Sequence, residues 1–218
     1  MKPDMKLYIY DHCPFCVKAR MIFGLKNLPV TEVILPNDDV QTPTRMIGRK
    51  MVPILEHDGR FMGESMDIIA HVDAMDGRPV LTGPTRPETG QWLRDGQQAY
   101  IRLILPRFAA APFEEFATTG SRLYFIENKE AMIGPFGACL NESDALRAST
   151  NAALTRLAGL IQRPDAVNGT LSTDDIHLFA HLRSLTLVAG LDWPGPVRAY
   201  CQHMAQATGI PLLDHMAG

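Results

Sequence analysis

The run Cys13-Pro14-Phe15-Cys16 joins a strand-like stretch to a helical one, which leaves few folds open to the N-terminal third of the chain. Leu7–Tyr10 is a short apolar run of the β type, and apolar residues recur at helical spacing from Pro14 to about Lys26. With Cys13 as the N-cap, Pro14 falls at the first helical position, where a missing N–H has no cost. Cys16 then lies one turn along on the same side. Two cysteines so placed can reach the Cα separation of about 5.5 Å that a disulfide requires.

The rest of the first third alternates between strand and helix patterns. Its predicted elements are strands over 30–34, 52–56 and 60–62 and helices over 42–47 and 64–75. Asp58-Gly59 is a typical hairpin turn between the last two strands. Because a helix connects the first two strands, those strands should be parallel. The order predicts one mixed sheet with helices on both faces.

A segment rich in Gly and Pro separates this part from a purely helical remainder. We therefore predict a first domain over residues 1–76, a linker over 77–87 and an all-helical domain over 88–218. In the helical part, two apolar faces are predicted. One consists of Leu146, Thr150, Ala153, Leu154, Leu157 and Ile161, and the other of Val197, Tyr200, Cys201 and Met204. Ser172 and Asp175 resemble a capping box ahead of a helix that is apolar on nearly every side.

Composition excludes several classes of function. The net charge of −3 gives no basic surface for a nucleic-acid backbone, and no apolar run reaches the roughly 20 residues that span a bilayer. Residues 1–4 lead directly into a strand-like run, without the apolar core or cleavage site of a signal peptide. We expect a cytoplasmic protein. The close pair Cys13 and Cys16 is then catalytic, metal-binding or accidental, because reducing conditions keep structural disulfides open.

The position of Cys13 favours redox chemistry. Free N–H groups and the positive end of the helix dipole stabilise a thiolate at the helix start. Cys16, inside the first turn, should be less exposed and less acidic, so Cys13 is the predicted nucleophile and Cys16 the resolving thiol. The alternatives are a chance pair or half of a zinc site, which would need two further ligands. Cys139 and Cys201 stand alone, Cys201 on an apolar face, and we predict no metal ligand.

His12 precedes Cys13 at a strand-to-loop junction, and we expect it to be exposed to solvent.

Two later features fit the tripeptide glutathione as a ligand. Val52-Pro53 should begin the third strand, and a cis Pro53 would turn the N–H and C=O of Val52 outward to pair with the ligand's cysteine. Ser65 is the predicted N-cap of the next helix, whose free N–H groups could bind the γ-glutamyl carboxylate. Glu64 could hold the ligand's ammonium group. The alternative interpretations are a plain edge-strand proline and a plain helix cap.

Taken together, these motifs resemble the glutaredoxins, and more closely the large two-domain bacterial form of that family. The resemblance covers essentially the whole chain, and the segments that carry it are 13–16, 18–27, 51–53, 64–68 and 185–190. It implies a thioredoxin-like α/β N-terminal domain with a cis-proline at Pro53, followed by an all-α C-terminal domain, as in glutathione transferases. It also implies a monomer. Phe15 departs from the pattern, since the family commonly has Tyr there.

The predicted function is therefore a glutathione-dependent thiol–disulfide oxidoreductase that acts through Cys13 and Cys16. Glutathione is the expected co-substrate, and S-glutathionylated or disulfide-bonded proteins are the expected partners. Two alternatives stay open. One is a glutathione transferase, which stabilises the thiolate of glutathione itself, and the other is a non-enzymatic module that binds glutathione or an iron–sulfur cluster.

Overall fold

The computed structural model describes residues 5–218. Met1–Asp4, on which the predictions about a signal peptide and the start of the first domain fall, lie outside the described residues. The strands are β1 (Met5–Ile9), β2 (Thr31–Ile34), β3 (Ile54–His57) and β4 (Arg60–Met62). The α-helices are α1 (Pro14–Leu25), α2 (Gln41–Ile47), α3 (Ser65–Ala74), α4 (Pro87–Ala110), α5 (Thr119–Ile133), α6 (Phe136–Asn141), α7 (Ser143–Ala158), α8 (Thr173–Leu185) and α9 (Gly195–Thr208). Short 3-10 helices cover Glu114–Phe116 and Asp214–Met216.

The four strands form one mixed sheet in the order β2-β1-β3-β4. β1 pairs parallel with β2 and antiparallel with β3, and β4 returns antiparallel along β3. The predicted parallel pair and the hairpin are confirmed. The predicted start of the third strand is wrong by two residues, since β3 begins at Ile54 and Val52 and Pro53 precede it. A proline has no N–H to give to the ladder, which explains the later start.

The chain divides into two compact units. One comprises the described residues up to Val80 together with 112–125 and 208–210, and the other comprises 81–111, 126–207 and 211–218. Segment 112–125 returns to the first unit because it carries apolar side chains, among them Phe116 and Phe125, that pack around His12. The linker over 77–87 stays a prediction.

In the first unit, α1 and α3 pack against each other. The central strand β1 has neighbours on both sides, and its Leu7 and Ile9 are fully buried. Gly24 of α1 lies against the backbone of Thr208, at the end of α9.

The helical unit is organised around α8, most of whose residues are buried. The predicted capping box is confirmed, with Ser172 as N-cap and Asp175 at the third helical position. The Asp175 carboxylate also accepts hydrogen bonds from the N–H of Val167 and the hydroxyl of Tyr200, at 2.7 and 3.0 Å. The predicted face of α9 is buried as well, Cys201 included. The predicted face of α7 is buried in its middle, whereas Leu146 near the start of the helix and Ile161 beyond its end are half-buried. None of the helices in residues 5–218 combines the length and the apolar character that crossing a membrane requires.

Candidate thiol–disulfide site

The register of the sheet brings the predicted site residues to one edge. Tyr8 pairs with Ile54, so the end of β1 lies beside the start of β3, and Leu55 pairs with Met62 at the end of β4. Cys13 follows β1, Pro53 precedes β3, and Ser65 follows β4. Three loops that are far apart in sequence therefore meet at the same end of the sheet.

Cys13 lies at the N-terminus of α1 as predicted. It is the N-cap, with φ −72° and ψ 120°, and Pro14 follows in the first turn. The N–H of Cys13 donates to the carbonyl of Tyr10 at 3.2 Å, which fixes the turn that leads from β1 into the helix. Cys13 is partly exposed and Cys16 is fully buried. Both are free thiols in this structure.

The two thiols differ strongly in acidity. A hydrogen bond from the Cys16 thiol is the largest influence on Cys13, and it lowers the pKa of Cys13 to about 6 against the opposing effect of burial. The charge of His12 and the N–H groups of Cys16 and Phe15 lower this pKa further. Burial, and next the bond to Cys13, raise the pKa of Cys16. The Cys16 sulfur also accepts the Tyr10 N–H at 3.4 Å. The asymmetry supports Cys13 as the attacking sulfur and Cys16 as the resolving one.

Zinc binding by this pair would need two further ligands. Cys139 and Cys201 belong to the helical unit, where both are buried. Among residues 5–218, no three His, Cys, Asp or Glu side chains are grouped as metal ligands. The described part of the chain thus offers the pair no additional ligand.

The expectation that His12 is exposed is wrong, since only 6% of its surface is accessible. Its Nδ1 lies 2.6 Å from Oε1 of Glu115, and its backbone N–H donates to the same oxygen at 2.9 Å. The ring stacks on Phe116 at 4.9 Å between centroids and meets Phe125 edge-on at 5.1 Å. Segment 112–125 supplies this environment, which explains why the neighbourhood of His12 in sequence gave no sign of it.

The Val52–Pro53 peptide bond is cis, which confirms that expectation. Val52 is largely buried. Within residues 5–218, its backbone N–H and C=O make no hydrogen bond. Buried backbone N–H and C=O groups nearly always have a hydrogen-bond partner. The two unpaired groups of Val52 would gain one from an extended ligand segment that lies beside them.

Ser65 is the first residue of α3 and not its N-cap, so that prediction is wrong. The N-cap position belongs to Glu64, whose φ of 61° is unusual for a residue with a side chain, and no side chain caps the helix. The helix start therefore keeps free N–H groups beside Ser65, which is buried. The Glu64 carboxylate forms an exposed ion pair with Arg49 at 2.7 Å. A ligand's ammonium group would share Glu64 with that arginine.

Lys50 lies near the same end of the sheet. Its ammonium group donates to the carbonyl of Asn37 and lies 3.7 Å from the centroid of the Tyr124 ring. The N–H of Asn37 donates in turn to the carbonyl of Glu115 at 2.9 Å. A continuous set of contacts thus connects Lys50, through Asn37 and Glu115, to His12 beside the thiols.

Sequence reasoning missed Glu115. It lies in a polar and aromatic stretch about 100 residues from Cys13, directly after Glu114, and no local pattern distinguishes the two glutamates. Glu115 is almost fully buried, whereas Glu114 is exposed. Only the fold shows which of them reaches the site.

Comparisons with known proteins agree with this arrangement. Residues 88–217 match the family described as "Glutaredoxin 2, C terminal domain", and residues 7–80 match "Glutathione S-transferase, N-terminal domain". Glutaredoxin 2 of Escherichia coli K12 is 54% identical over 214 residues, which cover 98% of this chain and 100% of that protein. A crystal structure of glutaredoxin 2 from Salmonella typhimurium in complex with glutathione shares 55% identity with a TM-score of 0.98 and covers 99% of this chain and 100% of its own. A glutathione S-transferase from Rhodospirillum rubrum, 19% identical with a TM-score of 0.63 and coverages of 96% and 90%, shares the fold.

Proposed function

Because the chain belongs to the glutaredoxin 2 family and is accordingly a glutathione-dependent thiol–disulfide oxidoreductase, we propose that its catalytic cycle runs through Cys13 as the nucleophile. The observation that carries this assignment is the asymmetry of the thiol pair. Cys13 is partly exposed at a helix N-terminus and has a lowered pKa, whereas Cys16 is buried and has a raised one. Only Cys13 combines thiolate character with access for a substrate.

In the main route, the Cys13 thiolate attacks the glutathione sulfur of a protein–glutathione mixed disulfide. A Cys13–glutathione disulfide forms, and the protein thiolate leaves and takes up a proton. The thiolate of a second glutathione then attacks the glutathione sulfur of this adduct. Oxidised glutathione leaves and the Cys13 thiolate is regenerated. In the dithiol route, the Cys13 thiolate attacks a protein disulfide, and a mixed disulfide forms while one protein thiolate is released. Cys16 then loses its proton and displaces the other protein thiolate, which closes a Cys13–Cys16 disulfide. Two glutathione molecules reduce this disulfide and leave as oxidised glutathione.

The acidity of Cys13 serves its release more than its attack. At pH 7, lowering a thiol pKa from about 8.5 to about 6 raises the thiolate fraction about 30-fold. With a Brønsted slope of about 0.45, the same change lowers the intrinsic nucleophilicity about 13-fold. The net gain in attack is only about twofold. A thiolate of low pKa is also the better leaving group, so the acidity mainly accelerates displacement of Cys13 by glutathione.

The glutathione site that we propose consists of Val52, Pro53, Glu64 and Ser65. The free N–H and C=O of Val52 would pair with the cysteine part of the tripeptide. The free N–H groups at the start of α3, with the Ser65 hydroxyl, would bind the γ-glutamyl carboxylate. Glu64 would take the ammonium group next to Arg49.

The remaining parts of the proposal concern the setting of the reaction. S-glutathionylated and disulfide-bonded proteins are the substrates, and a reducing cytoplasm regenerates the glutathione that the cycle consumes. The protein acts as a monomer, without a nucleic-acid or membrane partner. A domain boundary in the linker over 77–87 is supported by the gap between the two family matches.

The test is reduction of hydroxyethyl disulfide by glutathione with wild type, Cys13→Ser and Cys16→Ser. We expect activity in wild type, none in Cys13→Ser and partial activity in Cys16→Ser, because the main route needs only Cys13. A glutathione transferase would keep its activity towards electrophiles in Cys13→Ser, and a cluster carrier would develop a chromophore on anaerobic incubation with iron and sulfide. Full disulfide reductase activity in Cys13→Ser would overturn the proposal.

A further inference from the structure

Glu115 binds His12 at two points. One carboxylate oxygen, Oε1, accepts the backbone N–H of His12 and contacts its ring nitrogen Nδ1. Because His12 directly precedes Cys13, this double contact fixes both the backbone ahead of the nucleophile and the orientation of the imidazole. The two residues belong to the same compact unit.

The Glu115 carboxyl group is buried beside His12. The Glu115 side chain is fully buried, and its second oxygen, Oε2, has no hydrogen-bond partner among the described residues. Nδ1 of His12 lies at ion-pair distance from this carboxyl group, 2.6 Å from Oε1. A buried carboxylate without a cationic partner is strongly unfavourable, and a positive charge on His12 would balance it. The stacked Phe116 ring, 4.9 Å away, adds the attraction of an aromatic face for a cation.

The charges of the pair act differently on the two thiols. The charge of His12 favours the thiolate of Cys13, whereas Glu115 disfavours ionisation of Cys16. We propose that Glu115 is a positioning residue for the redox reaction, which holds a positively charged His12 beside Cys13 and so keeps the two thiols unequal. This inference rests on the proposed role of Cys13 as the nucleophile.

Other titratable groups lie near the thiols. Lys18 on α1 interacts with the charge of Cys13, whereas Asp39 ahead of α2 and Tyr124 on α5 interact with Tyr10, which in turn interacts with both thiols. The hydrogen bonds of the Glu115 carboxylate go to His12. A substitution of Glu115 therefore tests the pair while these groups stay in place.

The experiment measures the rate of Cys13 alkylation by iodoacetamide against pH, with the modified cysteine identified by peptide mass spectrometry. Glu115→Gln keeps an oxygen that accepts the His12 N–H and removes the negative charge that would hold a positively charged His12 in place. Because a nearby opposite charge lowers a pKa by about 1–3 units, the midpoint of the profile should rise by at least about one pH unit. Glu114→Gln removes the same charge from the exposed neighbouring position and should leave the midpoint in place.

A purely structural role of Glu115 would lower the melting temperature of Glu115→Gln without moving the midpoint, and that result would overturn the inference. If Glu115→Gln does not fold, the ¹⁵N chemical shifts of His12 in the wild-type protein decide. Imidazolium shifts at neutral pH support the inference and neutral-imidazole shifts overturn it. A wild-type midpoint near 8.5 would overturn the proposed nucleophile and this inference with it. A low wild-type midpoint that Glu115→Gln leaves unchanged would overturn the inference alone.

Discussion

Replacing Cys16 by alanine removes the hydrogen bond that contributes most to the acidity of Cys13. In wild type, the Cys16 thiol donates to the Cys13 sulfur and is the largest of the influences that bring the pKa of Cys13 to about 6. Cys16 is fully buried, so solvent does not readily replace the lost donor in Cys16→Ala. In Cys16→Ser, a hydroxyl group of similar size keeps a donor at the same place.

The size of the effect follows from the energy of such a bond. A hydrogen bond to a charged group contributes about 1.5–3 kcal/mol, and one pKa unit corresponds to about 1.36 kcal/mol. In Cys16→Ala, the pKa of Cys13 should therefore rise by about 1–2 units, to about 7–8. The thiolate fraction at pH 7 would fall from about 90% to between about 10% and 50%. In Cys16→Ser, the pKa should stay within about half a unit of that of wild type.

The assay is a titration of the ultraviolet absorbance of the thiolate in reduced protein, with Cys13→Ser as the blank for the other cysteines. A second readout is the rate at which glutathione releases a preformed Cys13–glutathione adduct. This rate should fall in Cys16→Ala, because the leaving thiolate is less stable there. Equal pKa values near 6 for Cys13 in the alanine and serine variants would refute the reasoning, because the acidity would then come from the helix start and His12 alone.

Two further predictions concern the ligand and the pH dependence of stability. Ser65→Ala removes a donor to the γ-glutamyl carboxylate and should raise the KM for glutathione about 10-fold, whereas Ser149→Ala at an exposed position of α7 should not change it; an unchanged KM in Ser65→Ala counts against the proposed site. The pKa of Cys13 is lower in the folded than in the unfolded state, so the unfolded chain binds more protons between the two values. The free energy of unfolding of the reduced protein, measured in urea, should therefore rise by up to about 2 kcal/mol between pH 6 and pH 8. This stabilisation is lost as the pH falls through the pKa of Cys13 in the folded protein. Cys13→Ser should lack this pH dependence.

The sequence was sufficient for features that local physics determines. The N-cap at Cys13 with Pro14 after it, the capping box at Ser172 and Asp175, and the turn at Asp58-Gly59 each depend on a few adjacent residues. The parallel pairing of β1 and β2 follows from the connecting helix, which leaves little alternative. At Ser65 the local rule was misleading, because the unusual backbone conformation of Glu64 moved the helix start by one residue.

Features that depend on segments distant in sequence could not be predicted from local sequence patterns. His12 was expected in solvent because its neighbours in sequence place it in a loop, yet segment 112–125 covers it with aromatic rings and the Glu115 carboxylate. Hydrophobic periodicity shows which face of a helix is covered, but not which segment covers it. Periodicity also does not show which compact unit a segment joins. Segments 112–125 and 208–210 belong to the first unit although they lie within the helical part of the sequence.

Gly24 shows how such a distant contact reverses the effect of a substitution. Glycine inside a helix is normally unfavourable by about 1 kcal/mol relative to alanine, so local reasoning predicts that Gly24→Ala stabilises α1. In the structure, a Cβ at this position would lie 2.1 Å from the carbonyl oxygen of Thr208 and 2.6 Å from its Cα. Backbone atoms cannot rotate away, so Gly24→Ala should lower the free energy of unfolding by about 1–3 kcal/mol.

Gly96 of α4 is the matched control, because a Cβ there would meet no atom within 4 Å. Gly96→Ala should raise the free energy of unfolding by about 0.5–1 kcal/mol through helix propensity alone. Urea denaturation of both variants gives the signs directly from the shift of the midpoint at constant slope. If both substitutions raised the midpoint, the backbone of Thr208 would not lie as close to Gly24 as the structure shows. Helix propensity would then explain the effect of Gly24→Ala as it explains that of Gly96→Ala.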